Sequence, residues 1–177
     1  GQYAVLTPGN YYETGGFKDR AEKQRYYSGE FPSEFIVKKG DLLVAMTEQA
    51  PGLLGSCMIV PEDDRFLHNQ RLGLITPKND VSWSAEYFAQ AFNLKAFRKG
   101  LSDTCSGATV RHTSPKRILA ESVPYCEDVA QLDLAAAHLS EREEDCRLME
   151  KSYRAKVKDL DGLRQSFLKK AFAGELT

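Results

Sequence analysis

Residues 128–173 read DVAQLDLAAAHLSEREEDCRLMEKSYRAKVKDLDGLRQSFLKKAFA. Within them Val129, Leu132, Ala136, Leu139, Glu143, Cys146, Glu150, Tyr153, Val157, Leu160, Arg164, Phe167 and Ala171 step by alternating three and four residues across six heptads, the seam of a coiled coil. Charges of both signs fill the intervening positions, including Glu143 four residues before Arg147 and Glu150 four before Arg154, spacings that favour a helix. A helix of about 44 residues at ~1.5 Å per residue is roughly 66 Å long, more than a small domain is wide. It cannot bury such a seam against its own domain alone. Val129, Leu132, Ala136, Leu139, Cys146, Tyr153, Val157, Leu160 and Phe167 are therefore the expected helix-pairing surface. Glu143, Glu150 and Arg164 occupy seam positions where polar residues select register and partner. Gly162 costs about 1 kcal/mol relative to alanine inside a helix, which leaves a local break near Asp161-Gly162 open.

Upstream the texture is different. Apolar and β-branched runs at Tyr3–Thr7, Glu34–Lys38, Leu42–Thr47, Ser56–Val60 and Arg71–Thr76 are bounded by glycine, proline, aspartate or asparagine, and read as short strands. Turn signals such as Pro8-Gly9-Asn10, Lys39-Gly40-Asp41 and Pro51-Gly52 recur too often for helices of ordinary length. From Ser84 the period changes. Tyr87, Phe88, Ala91, Phe92, Leu94, Phe97 and Leu101 mark an amphipathic helix capped by Ser82 or Ser84, whose aromatic stripe packs on the sheet. The stretch 106–112 reads as a turn entering a strand, Ser114-Pro115 opens a short helix to about Ala120, and Val123–Cys126 reads as a last strand. The expected fold class is α+β, with a mainly β domain carrying packed short helices over 1–127 and one long coiled-coil helix over 128–177.

The chain has 177 residues, 42% of them apolar, enough for one real core and an appendage. No apolar run approaches the roughly 18 residues of a membrane span, and the N-terminus lacks a signal-peptide pattern, so the expectation is a soluble, cytoplasmic protein. The first residue is Gly1 rather than a methionine, which points to a cloning remnant or an excised fragment. Cys57, Cys105, Cys126 and Cys146 are widely separated, without zinc-ligand spacing, and read as reduced, mostly small apolar fillers. No metal site is expected. Residues 1–120 hold 15 Lys/Arg against 13 Asp/Glu, a net of +2, and residues 121–177 hold 9 against 12, a net of −3. Lys95, Arg98, Lys99, Arg111, Lys116 and Arg117 fall within one 23-residue stretch whose only acid is Asp103. That density suits an anionic partner.

The ending Leu163-Arg164-Gln165-Ser166-Phe167-Leu168-Lys169-Lys170-Ala171-Phe172-Ala173-Gly174-Glu175-Leu176 resembles that of specificity (S) subunits of type I restriction-modification systems. Other segments agree in order: Leu6-Thr7-Pro8-Gly9-Asn10, Lys39-Gly40-Asp41-Leu42-Leu43, Gln70-Arg71-Leu72, Thr76-Pro77-Lys78 and Ser106-Gly107-Ala108-Thr109. The junction Val123-Pro124-Tyr125-Cys126-Glu127-Asp128 departs from the family's proline-rich, Glu-Gln-containing form. The resemblance implies a subunit without catalysis of its own, whose target-recognition domain reads one half of a bipartite site in double-stranded DNA. It implies methyltransferase (M) subunits as partners, which use S-adenosylmethionine, and a restriction and motor (R) subunit that cleaves. Family members carry two recognition domains and two helices, and this sequence has one of each. It therefore reads as a half-subunit that forms a homodimer through its helix, or as the C-terminal part of a longer chain. No Asn-Pro-Pro-Tyr-like, Gly-x-Gly or Gly-Lys-Ser/Thr motif is present in the sequence, which argues against an enzyme and a bound cofactor.

DNA recognition needs cations for phosphates and planar bidentate groups for bases. The candidates are Arg20, Lys23 and Arg25 (with Gln24) in a polar loop, Thr47 and Gln49 (with Glu48) beyond a strand, and Gln70 and Arg71 (with Asn69) at the start of another. Ser106, Thr109, Arg111, His112 and Lys116 complete the set, with Arg111 and His112 the preferred pair. Gly107 permits close backbone approach beside them. Lys95, Arg98 and Lys99 suit phosphates or simply a helix C-terminus. His112 and Cys105, seven apart with no acid partner, do not make a nucleophile pair. The alternative reading is a coiled-coil assembly adaptor without DNA specificity.

Overall fold

The structure, a computed structural model, describes residues 2–49 and 51–175. They fall into two compact units, Gly1–Ala136 and Ala137–Thr177. In the first unit a four-stranded sheet has the order β2-β1-β7-β3. Here β1 (Tyr3–Val5) pairs antiparallel with β2 (Tyr26–Tyr27) and parallel with β7 (Phe66–Leu67), and β7 pairs antiparallel with β3 (Ile36–Val37). A three-stranded antiparallel sheet places β4 (Leu42–Ala45) between β6 (Cys57–Ile59) and β8 (Leu72–Ile75). A two-stranded ladder joins β5 (Thr47–Glu48) to β9 (Arg111–His112).

Strand β4 organises the core because all four of its side chains are buried. Successive side chains leave opposite faces of a strand. Leu43 and Ala45 join Ala4, Leu6, Val37, Met58 and Phe66 on one side, while Leu42 and Val44 join Phe88, Phe97, Leu101 and Ile118 on the other. An uninterrupted apolar run is what a strand covered on both faces requires.

The single helix expected from Ser84 to Leu101 is two helices, α1 (Ala85–Phe92) and α2 (Lys95–Thr104). Ser84 caps α1 by accepting from the Tyr87 N–H. The break falls at Asn93, whose amide accepts from Cys57 N (3.1 Å) and donates to Cys57 O (3.4 Å) and Ala89 O (2.8 Å). Asparagine thus closes both the helix end and the outer edge of β6, so Lys95 lies at a helix start and not at its end. The aromatic stripe packs as the periodicity implies, with Trp83 stacked on Phe88 at 4.5 Å and Phe92 against Phe97 at 4.8 Å. Ser114 caps α3 (Pro115–Ile118).

Val123–Cys126 forms no strand. Pro124 has no N–H for a ladder, and the segment is held by side chains instead: Tyr87 donates its hydroxyl to Pro124 O (3.1 Å), and the Ser82 N–H donates to the Tyr125 hydroxyl (2.9 Å).

Helix α4 spans Val129–Phe172 without interruption at Gly162. Asp128 supports its first turn by accepting from Ala130 N at 2.9 Å. Two seam positions do not face a partner. Leu132 is 1% exposed within the core cluster of Val44, Phe88 and Leu101, and Ala136 is also buried, because the first two turns of α4 belong to the first unit and complete its core. Burying such a leucine contributes roughly 1.5–3 kcal/mol.

In the second unit every described side chain is exposed, Leu139, Cys146, Tyr153, Val157, Leu160 and Phe167 included. Glu150 pairs with Arg154 at 2.6 Å as the spacing predicts, whereas Arg147 pairs with Glu144 at 3.0 Å, one residue along from Glu143. Of the four cysteines only Cys57 is a buried filler; Cys105 is partly exposed, and Cys126 and Cys146 are exposed. Among the described residues no helix is long and apolar enough to cross a membrane.

Candidate nucleic-acid interface

The turn Thr7-Pro8-Gly9-Asn10 fixes one wall of an open cleft of about 750 Å³. Asn10 is fully buried and accepts from the N–H and hydroxyl of Thr7 at 3.0 and 3.1 Å. Its amide donates to Gln24 Oε1 at 2.7 Å, and Gln24 in turn donates to Val5 O at 2.9 Å. Gln24 is therefore spent on holding the 18–25 segment beside β1. That segment brings Lys18, Arg20 and Arg25 to the cleft, where Lys18 lies 5.6 Å from the centre of the half-exposed Tyr12 ring. Arg20 packs against Gly9, its Cζ 3.0 Å from where a Cβ would stand.

The opposite wall is β5 and the residues after it. Met46 donates its N–H to Arg71 O and accepts from Thr113 N, both at 2.9 Å, which sets Arg71 and the end of β9 on either side of the bend from β4 to β5. Thr47, Gln49 and Arg71 then line the cleft. Glu48 does not project from the sheet edge. Its side chain is 2% exposed, with Oε2 accepting from the N–H groups of Gly52 (3.0 Å), Leu53 (2.8 Å) and Leu54 (2.8 Å), and Oε1 paired with Arg111 Nη1 at 2.9 Å. This consumes the negative charge. Among the described residues Lys18, Arg20, Arg25 and Arg71 form no ion pair, so the cleft presents these four cations against one remaining exposed acid, Glu13.

Among the solved structures that share this architecture are two from type I restriction-modification systems. One is a specificity subunit from a type I R-M system, solved for the system's complex assembly and conformational transition, with a TM-score of 0.70 and 15% identity over 98% of this chain and 39% of that one. The other is the type I restriction-modification S subunit from M. genitalium, with a TM-score of 0.51 and 16% identity over 99% of this chain and 40% of that one. The chain has the S-subunit fold. It spans about two fifths of the length of the S subunits it matches. No protein-family model matches the sequence, and no curated protein matches it.

Within this S-subunit fold the predicted residues separate into groups. Arg20, Arg25, Thr47, Gln49 and Arg71 converge on the cleft. His112 is exposed and pairs across the ladder with Thr47, and Ser106 and Thr109 are exposed at the tip of the same hairpin. Lys23, Gln70 and Lys116 are exposed but do not line the cleft.

Arg111 is placed differently from the expectation of a free base-reading side chain. Besides Glu48, it donates from Nη2 to Ser102 O (3.0 Å) and Ser102 Oγ (2.5 Å), and from Nε to Cys105 Sγ at 3.1 Å. The bond to the Cys105 sulfur, with Glu48 behind it, holds its pKa above the usual arginine value. Lys99 pairs with Asp103, and Arg98 is bound to backbone carbonyls. Arg117 donates to Ser106 Oγ (3.3 Å) and His112 O (3.4 Å), so four of the six cations of the 95–117 stretch are engaged internally. Lys18 and Tyr12, which the sequence reading passed over, line the cleft; the aromatic pair directly after the Pro8-Gly9-Asn10 turn was the available signal.

The hairpin that carries Arg111 and His112 depends on Gly107. It has φ +99°, and a Cβ there would stand 2.0 Å from Val110 O. Ser106 and His112 exchange backbone bonds of 2.9 and 2.7 Å immediately below it. Gly107→Ala is expected to destabilise the domain by about 1–3 kcal/mol, the cost of a residue forced into a disfavoured backbone region. A thermal melt should fall by roughly 2–4 °C per kcal/mol. An unshifted melt would show that the turn re-forms around the methyl.

Proposed function

We propose that the chain is a non-catalytic DNA-specificity module that reads one half of a bipartite target and positions the methyltransferase and restriction subunits of a type I restriction-modification system in the cytoplasm. S-adenosylmethionine would belong to the methyltransferase subunit. The observation that carries this reading is the cleft, where Lys18, Arg20, Arg25 and Arg71 surround Thr47 and Gln49 in an S-subunit fold. Cations in that arrangement neutralise phosphates and place the duplex, and an exposed glutamine on an ordered edge can make the bidentate pair with adenine. His112, Ser106 and Thr109 extend the contact surface along the hairpin, and Lys23, Gln70 and Lys116 its margins. Arg111 acts in this reading as a support for β5.

The pairing partner of α4 is a second copy of the chain, antiparallel to the first. Residues 137–150 carry five acids and two bases, and residues 151–172 carry seven bases and two acids. A parallel pair would set like charge beside like, and an antiparallel pair sets each acidic half against a basic half.

The test uses the full chain in complex with its methyltransferase subunit. Arg25→Ala and Arg71→Ala should each weaken duplex binding evenly across sequences and lower the salt slope by about 1. Gln49→Ala should instead relax discrimination at one base pair, by roughly 1–3 kcal/mol. If the wild-type complex treats all duplexes alike, the specificity reading fails and an assembly adaptor is the better description.

A further inference from the structure

Arg98 is a half-buried cation on which the carboxylates of Glu48 and Glu13 act only from beyond ion-pair distance. Among the described residues it forms no ion pair, and burial pushes its pKa down. A guanidinium in that position must recover its lost hydration from hydrogen bonds. Its three partners are all backbone carbonyls: Nη1 donates to Glu13 O, Nη2 to Gly52 O, and Nε to Leu54 O. Glu13 belongs to one wall of the cleft and Leu53, between the other two acceptors, to the opposite wall. One side chain from α2 therefore ties both walls together beneath the cleft.

The same loop is gripped from its other side. The N–H groups of Gly52, Leu53 and Leu54 all point at the Glu48 carboxylate, while the carbonyls of Gly52 and Leu54 point at Arg98. An anion on the donor side and a cation on the acceptor side leave the loop's peptide planes little freedom. Its glycines fit it into place. Gly52, at φ +117°, would bring a Cβ to 3.2 Å from Glu13 Oε2, and Gly55, at φ +78°, would bring one to 2.7 Å from Leu101 Cδ1. Gln49 and Thr47 stand at the entrance to this loop, so their position over the cleft follows from how the loop is held.

We propose that Arg98 is a specificity-positioning residue: by fixing the distance between the two cleft walls it sets where Gln49 meets its base pair, without touching DNA itself. The proposal rests on the reading of the cleft as a DNA-recognition surface. Lysine is the informative replacement because it keeps the charge but not the planar fork that serves three acceptors at once.

The experiment compares methylation of the cognate duplex with duplexes altered at single base pairs, using the full chain in complex with its methyltransferase subunit. Arg98→Lys should leave non-specific affinity and the salt slope unchanged. It should lower discrimination roughly ten-fold at the base pair that Gln49→Ala affects, with no further loss in the double variant, since coupled sites are non-additive. Gly52→Ala, which pushes the same loop against Glu13 while leaving Arg98 intact, should alter that same base pair and serves as the deciding variant if Arg98→Lys fails to fold. Discrimination kept within about two-fold of wild type at that pair, or lost equally at every pair, overturns the positioning role. A wild-type complex with no sequence preference would instead bring down the reading of the cleft, and the role of Arg98 with it.

Discussion

Replacing Glu48 with alanine is expected to cost about 3–5 kcal/mol of folding stability, chiefly because three backbone donors lose their acceptor, the Arg111 side chain being partly exposed. The side chain is 2% exposed and makes four contacts of 2.8–3.0 Å. Its removal leaves the N–H groups of Gly52, Leu53 and Leu54 without an acceptor and Arg111 without its carboxylate. Each buried donor left unsatisfied costs about 1–3 kcal/mol, so relaxation of the loop toward water is needed to hold the loss to the stated range. Glutamine would not rescue it. Whichever way the amide is turned, its NH₂ faces either the three loop donors or the Arg111 guanidinium, and donor meets donor. At roughly 2–4 °C per kcal/mol, a thermal melt should fall by about 10 °C for Glu48→Ala and by a comparable amount for Glu48→Gln. A melt within about 2 °C of wild type for either variant would mean that the loop holds its shape without the carboxylate.

Glu48 also shows where the sequence stops being readable. In Met46-Thr47-Glu48-Gln49-Ala50-Pro51-Gly52 an acid between polar neighbours before a turn looks solvated. It is buried because Arg111 arrives from β9 and the loop folds its N–H groups back, events with no local signature. Arg98 and Arg111 misled for the same reason: a cation free to meet phosphate and one bound to carbonyls or a carboxylate look alike in a basic segment. Strand β4 was legible because both its faces are covered, and its apolar run needs no partner to be recognised. The two-residue strands β2, β5 and β7 exist only by their ladders, and Tyr26-Tyr27 or Phe66-Leu67 alone carry too little pattern. Along α4 the period revealed the helix but not what covers it, since Leu132 on the domain core and Leu160 in solvent occupy equivalent heptad positions. The cleft was half legible: Arg20, Arg25, Arg71, Gln24 and Gln49 stood as candidates, but nothing local marks Lys18 or shows that Asn10 and Gln24 bond each other to assemble the first wall.

The seam residues left exposed set the second large effect. Val157 and Leu160 are 59% and 64% exposed on a helix whose apolar face no described residue of its own unit covers. In an antiparallel homodimer each substitution counts twice, because the interface is the same patch on both copies. Replacing both with glutamate removes four apolar side chains worth roughly 1.5–3 kcal/mol each when buried, and adds charge to the seam. Dissociation should rise by at least a hundred-fold, about 3 kcal/mol, and light scattering should find a monomer where the wild type is a dimer. A wild-type chain that stays monomeric, both alone and with its methyltransferase subunit, would remove self-pairing altogether and require a partner helix from a different chain or from a longer form of this one.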